Sequence, residues 1–384
     1  MRPRTLLRLA CLAFLAALAW FAFVRLQPPV RPQTPMAPLP YEVRQVSFDN
    51  TVFGLEGTLT LPRTPGPHPA IVLIPGSGEV DRDGSLFGHQ FYRVLADDLT
   101  RRGFAVLRSD KRGLGHSGGN FASATSLDFA ADIQAGLAWL RGRPEIDAER
   151  IGLIGHSEGG LVGSIVAAKA PGIAFLVLMA GNGIPMGEVF LSRTRRALAQ
   201  GPVERLQQEL SLQRAVVAAA SAPGSEAERG AAVRTLYQAA HARYGRPYSE
   251  EEMAPFLTPW MHTLLKIDPQ PLLRQVACPV LALVGDKDEV VSAGDNIPAL
   301  QHALADNPRA EVHRLPGLNH FFQTAPTGAL SEVAAIEETM SPRALALIGG
   351  WAVRQAQAQA QAQAEQGQQA RVAAQRGSAN TWVQ

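Results

Sequence analysis

Ile151-Gly152-Leu153-Ile154-Gly155-His156-Ser157-Glu158-Gly159-Gly160-Leu161 joins a short apolar run, a Gly-x-Ser-x-Gly turn and the start of a helical run that continues to Ala170. A serine on so tight a strand-to-helix turn has strained backbone dihedrals, and small neighbours relieve the crowding. The turn lifts the hydroxyl out of the sheet, while the following helix aims its positive N-terminus at it. The five-residue pattern is common by chance. Its place after a strand and before a helix gives it weight.

Working outward, the same rhythm recurs on both sides. Short apolar runs lie at Ala70 to Ile74, Phe104 to Arg108, Ala174 to Met179, Val280 to Val284 and Val312 to Leu315. Their length and content suit strands covered on both faces, as in a parallel sheet. Gln90 to Arg102, Leu127 to Arg141 and Gly160 to Ala170 fall between strands and read as helices. Tyr41 to Phe48 and Leu55 to Leu61 alternate in the manner of a hairpin. Strands alternating with helices predict a three-layer α/β domain over residues 41–351. One interval breaks the pattern. Between Met179 and Val280 the chain is rich in Ala, Arg, Glu, Gln and Leu at helical spacing, for example Val203 to Ala219 and Ala227 to Tyr244. So long a stretch is no plain loop, and it predicts a helical cap over about 184–275.

A serine hydroxyl needs an adjacent base at neutral pH. His320 lies in Pro316-Gly317-Leu318-Asn319-His320-Phe321-Phe322, just after the last apolar strand, and so projects from the same sheet edge as Ser157. His156 sits inside the turn but points away from the hydroxyl. A base of this kind needs a carboxylate to fix its tautomer. Gly285-Asp286-Lys287-Asp288-Glu289 follows the strand Val280 to Val284; Asp288 is the expected acid and Asp286 the reserve. The order Ser, Asp, His along the chain is the order expected when the serine sits on a strand-to-helix turn of this kind. A tetrahedral oxyanion needs fixed donors. The Glu158 N–H is one, and Pro75-Gly76-Ser77-Gly78, after the strand Ala70 to Ile74, places the second at Ser77. No Gly-Lys-Ser/Thr follows that loop, which argues against a phosphate cradle.

Composition narrows the partners. Among 384 residues, 46% are apolar and 18% charged, with a net charge of +2, so a large core is possible and nucleic acid is not indicated. The two cysteines, Cys11 and Cys278, form no disulfide framework, no cysteine or histidine cluster suggests a metal, and no cofactor is expected. At the N-terminus, Arg2, Arg4 and Arg8 precede the apolar run Leu9 to Val24, closed by Arg25. Residues 1–26 therefore predict a signal-anchor, with a cleaved signal peptide as the alternative. Either sends the domain out of the cytoplasm, into the periplasm, and the first also tethers it to the membrane. Residues 27–40 are Pro-rich and read as an extended linker. Residues 352–384 form an Ala/Gln-rich tail with no apolar face to bury, set apart from the fold.

At these residues the chain resembles the α/β-hydrolase superfamily, and within it the bacterial esterase and serine aminopeptidase-like group. The resemblance rests on Pro75-Gly76-Ser77-Gly78 with Asp81-Arg82-Asp83-Gly84, on Asp110-Lys111-Arg112-Gly113-Leu114-Gly115-His116-Ser117, on the Ser157 turn, and on the Asp288 and His320 loops. It covers about Tyr41 to Trp351. It implies an α/β-hydrolase fold with a mostly parallel sheet and a helical cap, and hydrolysis of a small ester or acyl substrate through an acyl-enzyme. Relatives often carry His-Gly where this chain has Pro75-Gly76, which sets the Ser77 donor apart from the triad. Asp110 and Arg112 are expected to brace loops. A peptidase, thioesterase or acyltransferase with the same triad is the first alternative, with Glu250, Glu251 and Glu252 as acids for a substrate amine. A tethered, non-catalytic binding protein is the alternative of another class.

Overall fold

The computed structural model describes residues 31–380. The signal-anchor segment, its arginines and Cys11 lie outside the described residues. The described residues form ten strands: β1 (Tyr41–Asp49), β2 (Gly54–Pro62), β3 (His68–Ile74), the short hairpin β4 (Ser85–Leu86) and β5 (His89–Gln90), β6 (Ala105–Ser109), β7 (Ile146–His156), β8 (Leu176–Met179), β9 (Val280–Gly285) and β10 (Ala310–Leu315). Eight of them form one sheet in the order β1-β2-β6-β3-β7-β8-β9-β10. β2 runs antiparallel to both its neighbours, and all pairings from β6 to β10 are parallel.

The continuous apolar runs are explained by what covers them. In β3, Ala70, Val72 and Ile74 face one core while Ile71 and Leu73 face the other. In β9, Val280, Ala282 and Val284 divide from Leu281 and Leu283 in the same way. Helices α1 (Phe91–Arg101) and the long C-terminal helix cover one face; α2 (Ser126–Arg141), α3 (Glu158–Lys169), α9 (Pro269–Arg274) and α10 (Ala293–Ala303) cover the other. The interval after β8 holds α4 (Met186–Ala197), α5 (Val203–Ser221), α6 (Glu226–Tyr244), α7 (Glu250–Met253) and α8 (Pro259–Lys266). Helix α6 has a start and a stop written into its sequence: Ser225 and Glu228 form a capping box, and Gly245 ends it in the left-handed conformation.

Two boundaries differ from expectation. The described part of the Pro-rich stretch is docked rather than extended away. Arg31 is buried and donates to the carbonyls of Ile336, Phe87 and Ala334, while Gln33 donates to Met340 O and accepts from the Thr339 and Met340 N–H groups. The tail is not separate after Trp351 either. Helix α11 (Pro342–Asn380) runs through that point, and Ala344, Ile348, Ala352 and Ala356 are buried in one core at a spacing of four. Alanine is a weak apolar signal, but its small size lets this helix approach closely. Farther along, Gln359 and Gln363 donate to Glu149. Among the described residues, no helix is long and apolar enough to cross a membrane.

Candidate active site

Ser157 stands between β7 and α3 with φ 55° and ψ −121°, a conformation in which a non-glycine residue is strained. The flanking glycines make that turn possible. A Cβ at Gly155 would collide with the Gly159 carbonyl, and one at Gly159 with the Ile74 carbonyl. The Ser157 N–H is tied to Met179 O at 2.8 Å, so the turn is fixed from the neighbouring strand β8.

His320 and Asp288 meet at the same edge, from the loops after β10 and β9. His320 Nδ1 donates to Asp288 Oδ2 at 2.8 Å, and both residues are buried. Asp288 Oδ1 accepts the N–H groups of Val290 and Val291 at 2.8 and 2.7 Å. With the carboxylate holding the Nδ1 proton, Nε2 is left to accept one. The His320 loop is folded by its own side chains: Asn319 Oδ1 accepts from the Phe321 and Gln323 N–H groups. Asp286, the reserve acid, is elsewhere, accepting the Gly317 N–H at 2.6 Å.

Ser157 is joined to the base loop through its neighbour. His156 Nε2 donates to the His320 carbonyl at 2.9 Å, and the two imidazoles lie 4.8 Å apart. His156 Nδ1 accepts from Tyr92 Oη at 3.1 Å, and the same Oη accepts the Gly76 N–H at 2.9 Å. Burial, and next the nearby His320, hold the His156 imidazole down to about 3, so it is neutral with a fixed tautomer. One uncharged chain thus ties the loop after β3, the turn at Ser157 and the loop after β10. The Ser77 and Glu158 N–H groups, the two expected oxyanion donors, make no backbone hydrogen bond among the described residues.

The sequence reading missed four side chains around this edge. Tyr92, Lys111, Ser126 and Trp260 each contact one of the expected site residues or its loop, from α1, the loop after β6, the start of α2 and the cap helix α8. Lys111 Nζ donates to Gly76 O at 2.5 Å and Gly78 O at 3.1 Å. Ser126 Oγ and Trp260 Nε1 donate to Glu158 Oε1 at 2.7 and 2.6 Å. Asp110 pairs with Arg82, and Arg112 with Asp128 and Asp132, which braces the loops on either side of Lys111.

Between the cap and the loop after β9 lies a cleft of about 830 Å³, lined by Phe190, Arg196, Tyr237, Arg246, Phe256 and Asp288 among others. Ser157 and His320 are not among its lining residues. Glu250, Glu251 and Glu252 sit at the capped start of α7, with Glu252 paired to Arg246. Cys278 is partly buried, which pushes its thiol up to about 11 and leaves it unreactive at neutral pH.

The chain is similar to several known proteins. Residues 71–333 match the sequence model of the alpha/beta hydrolase family. Esterase EstD of Thermotoga maritima is 25% identical over 287 residues, covering 73% of this chain and 62% of the relative. Acyl-coenzyme A thioesterase 1 of Rattus norvegicus is 30% identical over 134 residues, 35% of this chain and 28% of that protein. The chain therefore spans less than two thirds of the length of either relative. Among solved structures, the Pyrococcus furiosus esterase Pf2001 superposes with a TM-score of 0.51 at 16% identity, over 85% of this chain and 97% of that one. The proline iminopeptidase of Mycobacterium smegmatis superposes with 0.51 at 18% identity, over 82% and 99%. At such identities these two speak for the fold alone. With the family model matching most of its length, and the sheet order and the turn at Ser157 agreeing with it, the chain belongs to the alpha/beta hydrolase family.

Proposed function

We propose that the chain is a serine hydrolase that cleaves carboxylic esters through an acyl-enzyme, with Ser157 as nucleophile, His320 as base and Asp288 as acid. The observation that carries this reading is the buried Asp288–His320 pair, held at 2.8 Å on the sheet edge where the strained Ser157 turn stands. The similarity to Esterase EstD supports the substrate class.

In this reading His320 Nε2 takes the Ser157 proton as Oγ attacks the ester carbonyl. The imidazolium that forms is stabilised by Asp288, whose second oxygen is anchored by the Val290 and Val291 N–H groups. The oxyanion lies against the Ser77 and Glu158 N–H groups. Collapse expels the alcohol, which takes the proton from His320. Water then attacks the acyl-enzyme by the reverse path, returning the acid and free Ser157.

The test is turnover of short p-nitrophenyl esters by the purified protein, compared with Ser157→Ala and His320→Ala. Both variants are expected to lose about 10⁴-fold or more in kcat. A folded parent without turnover would remove the reading and favour a binding role. The basic and apolar start, Arg2 to Arg25, supports export of the domain, tethered or cleaved. Cell fractionation with and without residues 1–26 tests that, and a parent found only in the cytoplasm contradicts it.

A further inference from the structure

Lys111 is 7% exposed, and no carboxylate lies within ion-pair distance of its ammonium among the described residues. Burying an ammonium without a direct partner is unfavourable, and an apolar side chain would fill the same space. What the ammonium does instead is grip a loop. It donates to Gly76 O at 2.5 Å and to Gly78 O at 3.1 Å, and it sits 4.7 Å from the centre of the Phe129 ring. Burial pushes its pKa down, and the charge of Glu158 opposes that shift.

The carbonyl it holds is informative. The Gly76–Ser77 peptide is trans, so its C=O and its N–H point in opposite directions. Fixing the Gly76 carbonyl on Lys111 therefore fixes the direction of the Ser77 N–H. The Gly76 N–H is held separately by Tyr92 Oη at 2.9 Å, which leaves that residue no freedom to rotate. A cation on the carbonyl also polarises the peptide, which strengthens its N–H as a donor.

The second donor is carried by a buried charge of opposite sign. Glu158 is 3% exposed, and its Oε1 accepts from Ser126 Oγ and Trp260 Nε1. Its Oε2 is buried with no hydrogen-bond partner. One buried cation thus stands behind the Ser77 donor, and one buried anion belongs to the residue that supplies the other.

We propose that Lys111 is a positioning residue for the oxyanion site: by holding the Gly76 carbonyl it aims and polarises the Ser77 N–H, with the Glu158 carboxylate as its distant counter-charge. The inference rests on the ester-hydrolase reading above and deepens it. It assigns Lys111 no contact with substrate and no proton transfer.

The experiment compares the parent with Lys111→Met, Lys111→Gln and Lys111→Arg, using ester kinetics and the affinity of an alkyl boronic acid. The boronate forms a tetrahedral anion on the nucleophilic serine and so tests the oxyanion site directly. For Lys111→Met, kcat is expected to fall about 10- to 100-fold, less than for outright loss of a donor. KM is expected to stay within about threefold, the pattern of an interaction made mainly in the transition state. Boronate affinity should fall by the same factor as kcat/KM, which a mere packing role would not produce. Gln and Arg keep a donor for the carbonyls and remain informative if the Met variant does not fold; both are expected to retain more activity than Met. Folded Lys111 variants with parental kcat and boronate affinity overturn the inference and leave the triad intact. A parent that neither hydrolyses esters nor binds the boronate removes the enzymatic reading as well.

Discussion

On the base side of the site, Asp288 has both carboxylate oxygens occupied, one by His320 and one by two N–H groups of its own loop. On the donor side, Glu158 uses one oxygen for partners from α2 and α8 and leaves the other bare. On the base side the acid itself is fixed locally, by N–H groups two and three positions away, and a single contact across 32 residues joins it to His320. The donor side is assembled from distant parts of the chain, through Gly76, Tyr92, Lys111, Ser126 and the cap residue Trp260. A local arrangement forms once its loop folds. The distributed one depends on packing of the cap and both sheet faces, so its substitutions should give graded losses rather than a single large one.

The largest expected effect lies on the base side. Asp288→Asn keeps the shape of the side chain, but its amide presents the wrong partner to His320 Nδ1 and favours the wrong tautomer. A loss of about 10⁴-fold in kcat is expected, as in the triad template. If that variant loses no more than Lys111→Met, the contrast between the two sides collapses. Steady-state kinetics with one ester decides it.

A second prediction concerns pH and the neutral link between the sides. Folded His156 takes up a proton only near pH 3, whereas the unfolded residue does so near 6.5. Between those values the unfolded chain binds more protons. The contribution of this residue is therefore fully present above about pH 6.5 and is lost as pH falls toward 3. At most it is about 5 kcal/mol. Urea midpoints against pH should show the decline, and His156→Gln should flatten it. Equal slopes for both proteins would remove His156 as the cause.

Tyr92→Phe sharpens the comparison further, since it leaves the buried Gly76 N–H and His156 Nδ1 without partners. A destabilisation of about 2 kcal/mol is expected, read as a shift in urea midpoint, together with a loss of activity. The smallest effect is at the cap. Trp260→Phe removes one hydrogen bond to a charged group, and kcat/KM should fall by about tenfold. Unchanged kinetics would show that the cap does not reach the donor side through this contact.

How much of this was legible in the sequence follows the same division. The inner strands were found because they bury both faces, as Ala70 to Ile74 and Val280 to Val284 do, leaving unbroken apolar runs, whereas the edge strands β1 and β10 leave much of their length exposed. Ser157, Asp288 and His320 were proposed from short motifs at strand ends, and the structure brings Asp288 and His320 together. Lys111 was visible only as part of a motif, because a lysine in sequence implies a solvated surface. Its partner Gly76 is 35 residues away, and Trp260 is 102 residues from Glu158. No periodicity encodes contacts of that range. His156 was expected to point away from the hydroxyl, but its bonds to Tyr92 and His320 needed coordinates. The boundaries failed for a similar reason. Arg31 looked like part of a linker and Ala352 and Ala356 like part of a tail, yet each is buried against residues distant in sequence.

The most direct test of the central claim is to trap the acyl-enzyme. The protein is mixed with an ester of a slowly released acyl group, quenched in acid, digested and mapped by mass spectrometry. The account predicts one acylated peptide, carrying Ser157, that is absent from Ser157→Ala and strongly reduced in Asp288→Asn. Hydrolysis that persists in Ser157→Ala, or an acyl group found on another residue, would contradict it.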